Sequence, residues 1–362
     1  MTKTNSTVNY TYISILRIIA AFFVIFNHSG DYGFYLYTFY PCGSVQYWVY
    51  LAFSIFSKVS VPLFFLISGA LLLNKPDESL KDLWSRRIVK MIIPLVVFSL
   101  VYYFYILYWS GEPFSLKRFA LTLYSSDWMH HLWYMYAYIS FLIVLPFLRS
   151  MVKNLSDKYF VYMFILAIFF NGFLVIAEYL LGNRTVTINS YIVPAWIISN
   201  TVLYPSIGYY LQHRADYLMT KKNIAVLWGA NIAGFVLSSL MNFFKCNVEG
   251  VAVKTEIFHG CFVLVNCVTV YVTIKYLFAE YKLPAMADKV LKSVGECTFG
   301  VYLIHMLLKD RPFIVKIAEK LCAAGVNRML SALAYCTAIF IVAYAITFVI
   351  SKIPVVKKSV GR

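Results

Sequence analysis

Residues 11–28 read Thr11-Tyr12-Ile13-Ser14-Ile15-Leu16-Arg17-Ile18-Ile19-Ala20-Ala21-Phe22-Phe23-Val24-Ile25-Phe26-Asn27-His28. The run is apolar enough for a membrane span, yet it holds an arginine in its middle and ends on a histidine. An arginine at mid-membrane costs about 2.5–3.5 kcal/mol even on permissive insertion scales, so such a residue faces a bundle interior, a partner or a water-filled cavity. Snorkelling to the inner rim is the alternative, and it fits poorly because Arg17 follows a partly apolar run from Tyr10. His28 lies eleven residues further on. In an α-helix that is about three turns, so the two side chains share a face within roughly 20° and stand about 16 Å apart.

The rest of the chain extends this reading. Of its 362 residues, 61% are hydrophobic and 13% charged, against roughly 25% charged in a soluble domain. Further apolar runs fall at 47–73, 88–109, 131–149, 159–181, 191–211, 223–244, 257–278, 297–312 and 329–352. The expected fold is therefore an all-α polytopic membrane bundle of about ten transmembrane helices, forming one domain over residues 1–362. The ninth run is the weakest, because Lys309, Asp310 and Arg311 interrupt it. The first is not expected to be a cleaved signal, since its basic flank is thin and no small-residue cleavage site follows. Lysine and arginine counts place both termini in the cytoplasm, with about 20 basic residues in the inner segments and about 10 in the outer ones. Half of the outer ones cluster in the last outer loop, which that rule does not explain.

The formal net charge is +16. Basic loops against anionic lipid account for it, and no basic–aromatic repeat points to nucleic acid. The seven cysteines form no CxxC and no Cys/His spacing of a zinc site, so no metal is expected. Cys42 and Cys246 both fall in loops placed outside, which leaves a disulfide between them open.

Three other histidines fall near the depth of His28: His130 and His131 at the start of the fourth run, and His305 in the ninth. Without a carboxylate or cysteine pattern, His28, His131 and His305 read as an acid–base group rather than a metal site. Val61-Pro62-Leu63-Phe64-Phe65-Leu66-Ile67-Ser68-Gly69 allows a kink and a close helix crossing. After it come Arg86, Arg87 and Lys90, either a product of the positive-inside rule or a phosphate site, since arginine pairs bidentately with phosphate oxygens.

These residues together resemble the acyltransferase-3 family of integral membrane O-acyltransferases. Its mark is an arginine and a histidine separated by ten residues in the first span, as Arg17 and His28 are. The Val61 to Gly69 stretch, His131-Leu132-Trp133-Tyr134 with Leu145-Pro146-Phe147-Leu148-Arg149, and Gly300-Val301-Tyr302-Leu303-Ile304-His305 are similar to later family segments, in order, over nearly the whole chain. The resemblance implies a stand-alone enzyme of the inner (plasma) membrane, without a fused extracytoplasmic domain. It would move an acetyl or other short acyl group from cytoplasmic acyl-CoA to a hydroxyl of an extracytoplasmic or lipid-linked glycan. The family's inner Arg-x-x-Arg pattern survives here only with lysine last, at Arg87 and Lys90.

On this reading His28 is the general base, and Arg17 holds the pantetheine arm or stabilises charge. Arg86, Arg87 and Lys90 grip the CoA phosphates, and His131, Tyr134 and His305 contact the acceptor or the oxyanion. A covalent acyl-histidine relay fits the same residues. The rivals are a transporter or flippase of a small solute or lipid-linked sugar, for which no inverted repeat is evident, and a catalytically silent sensor or scaffold.

Overall fold

The computed structural model describes residues 11–182, 185–249, 254–278, 281 and 283–353. Lys3, Arg184, Lys282, Lys357, Lys358 and Arg362, all used in the orientation count, lie outside the described residues, as do both termini.

Among the described residues the chain is helical, with no strand. In order the helices are α1 (Thr11–Asn27), α2 (Val45–Ser57), α3 (Ser60–Leu72), α4 (Leu80–Ser110), α5 (Leu116–Ser125), α6 (Trp133–Asn154), α7 (Asp157–Gly182), α8 (Leu203–His213), α9 (Lys221–Glu249), α10 (Val263–Phe278), α11 (Ala285–Leu308), α12 (Pro312–Ala323) and α13 (Arg328–Ile350). Six helical stretches are long and apolar enough to cross a membrane: 45–72, α4, 130–154, α7, Lys221–Val248 and α13. The apolar helices α1 and α10 are shorter. Among the described residues the fold is thus an all-helical membrane bundle with six stretches that meet the length and composition for crossing.

Two apolar runs of the sequence differ from a plain span. The run at 47–73 is split at Lys58 and Val59, where α2 ends and α3 begins. The run at 191–211 yields a single turn at Ser190–Ile192 and then α8, only 11 residues long. At 1.5 Å per residue α8 covers about 16 Å, half a bilayer core. The cause is local: Pro194 and Ser199 break the first half, since proline withholds a donor and the Ser199 hydroxyl bonds the nearby carbonyl of Trp196.

What α8 lacks in length it recovers in contact with α3. A Cβ on Gly69 would stand 1.9 Å from the carbonyl oxygen of Pro205, and one on Gly208 1.9 Å from that of Leu66. The two glycines let the backbones meet, as the Ser68-Gly69 pair implied. Helix α1 sits at the centre of the bundle, packed against α3, α10, α11 and α13. Across the α1–α11 seam, Gly295 leaves no room for a Cβ beside Ser14.

On one edge of the bundle, a disulfide joins Cys42, in the loop after α1, to Cys246 near the end of α9. Their Cα atoms are 6.7 Å apart, so the two segments share one side of the molecule.

Candidate functional site in the α1–α11 seam

Helix α1 is unbroken from Thr11 to Asn27, and the His28 amide still bonds to the carbonyls of Val24 and Ile25. The helical spacing that puts Arg17 and His28 on one face therefore holds. The face they share is turned to α11, whose Tyr302 lines the cavity beside Arg17 and whose His305 bonds His28.

At the Arg17 end lies a cavity of about 390 Å³. Arg17, Arg86, Arg87, Lys90, Tyr134, Tyr138, Glu296 and Tyr302 are among its walls. It thus carries four cations against one carboxylate, a setting for an anionic ligand. Arg17 is half-buried and makes no hydrogen bond or ion pair of its own among the described residues. Facing a polar cavity rather than a membrane rim, it does not snorkel.

Arg86 and Arg87 sit on a wide, π-type turn at Leu83–Ile88 inside α4, a local irregularity common at functional sites. Arg86 is exposed and pairs with Asp82 one turn back, at 2.9 Å. Arg87 is held more firmly, since its Nε donates to both oxygens of Glu78 at 2.7 and 2.9 Å. Glu78 also bonds Arg149, whose Nη1 lies 3.0 Å away and whose side chain is 2% exposed. The Arg149 Nε donates to the carbonyl of Leu72 at 3.1 Å. Glu78 thus ties the start of α4 to the last third of α6, pairing with the half-buried Arg87 and the buried Arg149. Using Nε leaves the two terminal nitrogens of Arg87 free of Glu78.

At the His28 end four imidazoles gather. Ring centroids lie 5.1 Å apart for His28 and His305, 5.0 Å for His131 and His305, 6.3 Å for His28 and His131, and 6.4 Å for His28 and His130. His131 and His305 are each 1% exposed. His28 Nδ1 lies 3.1 Å from His305 Nε2, and His305 Nδ1 lies 2.6 Å from the carbonyl of Tyr302. Both ring nitrogens of His131 are buried with no hydrogen-bond partner among the described residues.

Asn27 fixes where His28 sits. Its amide donates to the carbonyl of Ser57 at 2.8 Å and to Ser60 Oγ at 2.9 Å, and its oxygen accepts from Ser57 Oγ at 2.9 Å. The break between α2 and α3 exposes the serines that clamp the end of α1.

Tyr134 and Tyr302 part the two ends. Their rings meet edge to face at 5.3 Å, and the Tyr302 hydroxyl donates to the carbonyl of His131 at 2.6 Å. Tyr302 thus touches the cavity on one side and His131 and His305 on the other. His28 does not line the cavity.

All the site residues expected from sequence therefore fall along this one seam: Arg17, Arg86, Arg87, Lys90 and Tyr134 around the cavity, His28, His131 and His305 beyond it. Sequence reasoning missed Asn27, Glu78, Tyr138, Glu296 and Tyr302 as parts of it, and read Arg149 only as an inner basic residue that closes a family-like segment. The segment Gly300 to His305 already held Tyr302, the one signal that could have found one of them. Among the described residues no group of three His, Cys, Asp or Glu is arranged to hold a metal.

Comparison with known protein families gives one decisive match: the acyltransferase-3 model, described as an acyltransferase domain, aligns with residues 10–351. The chain belongs to the acyltransferase-3 family. No curated protein and no solved structure matches it significantly. The seam of this acyltransferase-family chain thus has a cationic recess at one end and a group of imidazoles at the other.

Proposed function

We propose that the protein transfers an acetyl or other short acyl group from cytoplasmic acyl-CoA to a hydroxyl of an extracytoplasmic or lipid-linked glycan. One observation carries this reading: α1 and α11 run side by side, with a four-cation cavity at one end of their seam and hydrogen-bonded imidazoles at the other. The reading takes the bundle as about ten crossings of the inner (plasma) membrane, with both termini and the cavity mouth on the cytoplasmic side.

The anionic CoA moiety enters the cavity. Arg86, Arg87 and Lys90 neutralise its phosphates, Arg87 offering a fork of terminal nitrogens already aimed by Glu78. Arg17, one helix face deeper, binds the polar pantetheine arm and leads the thioester past Tyr134 and Tyr302 towards His28.

A neutral hydroxyl attacks a thioester poorly, so a base must take its proton as the C–O bond forms, worth typically about 10²–10⁴-fold. His28 takes it. The tetrahedral intermediate places negative charge on the former carbonyl oxygen, and the unpartnered imidazole of His131 is the donor available to that oxygen. Collapse breaks the C–S bond, the thiolate leaves with the proton from His28, and the ester stays on the acceptor.

Purified protein supplied with labelled acetyl-CoA and a glycan acceptor should yield labelled ester, and His28→Ala should lose it. Transfer at the wild-type rate by His28→Ala removes the base assignment. If substituting Arg87 and Lys90 together leaves acetyl-CoA affinity unchanged, the cavity is not the donor site. Solute flux without acyl-CoA would instead favour a transporter.

A further inference from the structure

The hydrogen bonds around His28 form a chain with a direction. A carbonyl oxygen can only accept, so the 2.6 Å contact with Tyr302 means that His305 Nδ1 carries the proton. In a neutral imidazole the other nitrogen is then an acceptor, so His305 Nε2 has a lone pair. His28 Nδ1, 3.1 Å away, must be the donor to it. That leaves the lone pair of His28 on Nε2, the atom farthest from its own backbone.

We propose that His305 is the positioning residue of this enzyme: it holds His28 as the Nδ1–H tautomer, so that Nε2 is the atom that takes the proton from the acceptor hydroxyl. The proposal rests on the reading of His28 as base.

The geometry gives His305 little freedom to do otherwise. It is 1% exposed, and its Nδ1 anchor is the backbone of its own helix, three residues back. That stretch of α11 is itself fixed from two sides. The Tyr302 hydroxyl donates to the carbonyl of His131, and the Tyr102 hydroxyl donates to the carbonyl of Leu303 at 2.8 Å. On the other side, the Asn27 clamp holds the backbone of α1 just before His28. Both rings are thus placed by hydrogen bonds that fix the backbone beside them.

The arrangement does the work that a buried carboxylate does for a triad histidine, but with a neutral acceptor. During attack the hydroxyl proton moves to His28 Nε2 while the oxygen bonds to the thioester carbon. His28 is then an imidazolium, with Nδ1–H still donating to His305. When the C–S bond breaks, the Nε2 proton goes to the departing thiolate. His28 returns to its starting tautomer, and His305 has neither gained nor lost a proton. No other reactant is needed.

The test compares His305→Leu with His305→Gln in the full-length protein in lipid. Glutamine can set an amide oxygen near the position of Nε2, restoring an acceptor for His28 Nδ1–H, whereas leucine cannot. His305→Leu should lose about 10- to 100-fold in kcat with KM for acetyl-CoA within about threefold, because the ring is released from the tautomer rather than from the donor site. His305→Gln should recover most of that loss. A purely structural role predicts no recovery by glutamine, and such a result overturns the proposal. So does wild-type kcat in His305→Leu while His28→Ala is inactive, an outcome that leaves the base reading standing. Activity in His28→Ala removes both. Nitrogen NMR of the histidine-labelled wild type needs no His305 variant. With His28 assigned by its loss in His28→Gln, Nδ1 should carry the proton and Nε2 should not; the reverse pattern overturns the proposal even if His305→Leu fails to fold.

Discussion

At the Arg17 end of the α1–α11 seam, four cations surround an open cavity, and one of them, Arg87, is aimed by a carboxylate outside it. At the His28 end His131 and His305 are buried, and the ring of His305 bonds both His28 and the backbone. The first region works through charge, which acts over several ångströms, tolerates imprecise placement and is screened by salt. The second works through bond direction, which fails over fractions of an ångström. Substitutions at the two ends should therefore fail in different kinetic terms: the His28 end in kcat, the Arg17 end in KM for the acyl donor.

The largest effect expected is at the His28 end. His28→Ala should cut kcat by about 10²–10⁴-fold, the range for removing a general base, while acetyl-CoA binding measured by calorimetry stays near wild type. A matching loss of donor binding would merge the two regions into one and break the comparison. Next comes Arg17→Gln, which removes a half-buried charge between them. Its expected signature is a mixed one, about a tenfold rise in KM and a similar fall in kcat, because on the proposed reading it both holds the donor and leads it onward. A change in KM alone would place Arg17 wholly with the phosphate-binding group.

Smaller again, but with a separate readout, is Glu78→Gln. Glu78 neutralises Arg149, which is almost fully buried, and aims Arg87. Losing its charge leaves Arg149 under-compensated, a cost of roughly 2 kcal/mol once the partial exposure of Glu78 is allowed for. Thermal unfolding should shift down by a few degrees, and KM for acetyl-CoA should rise about three- to tenfold with kcat unchanged. If the melting point falls while KM holds, Glu78 braces the bundle and does not prepare Arg87 for its ligand.

How far the sequence foretold this arrangement differs between the ends. Helical periodicity fixes the angle between Arg17 and His28 whatever surrounds them, so their shared face was legible. The family segments likewise marked His131 and His305 before any neighbour was known. Periodicity, however, is silent on which helix a face meets, and so the pairing of His28 with His305, 277 residues apart, could not be read. Asn27 was hidden for the same reason: its partners Ser57 and Ser60 become available only because α2 and α3 separate, where the hydropathy of 47–73 runs on without a gap. The wide turn that carries Arg86 and Arg87 has no residue signature. Between residues 191 and 211, apolar content outvoted the proline and short polar residues that in fact halve the helix.

The smallest effect, and the sharpest division within the cationic region, lies between neighbouring arginines. The side chain of Arg86 is 75% exposed and its ion pair with Asp82 spans one helical turn, whereas that of Arg87 is 26% exposed and held by both oxygens of Glu78. An exposed i,i+4 pair is worth only about 0.3–0.5 kcal/mol, so Arg86 is mobile in energetic terms and its charge is shared with solvent. Arg86→Ala should raise KM for acetyl-CoA by about two- to threefold at low ionic strength, and the difference should fade as salt approaches the point where the Debye length falls to about 3 Å. Arg87→Ala should raise KM further, and its deficit should persist in salt because a preoriented fork bonds its ligand directly. Equal salt sensitivity of the two variants would mean that Arg87, despite its carboxylate brace, contributes charge alone.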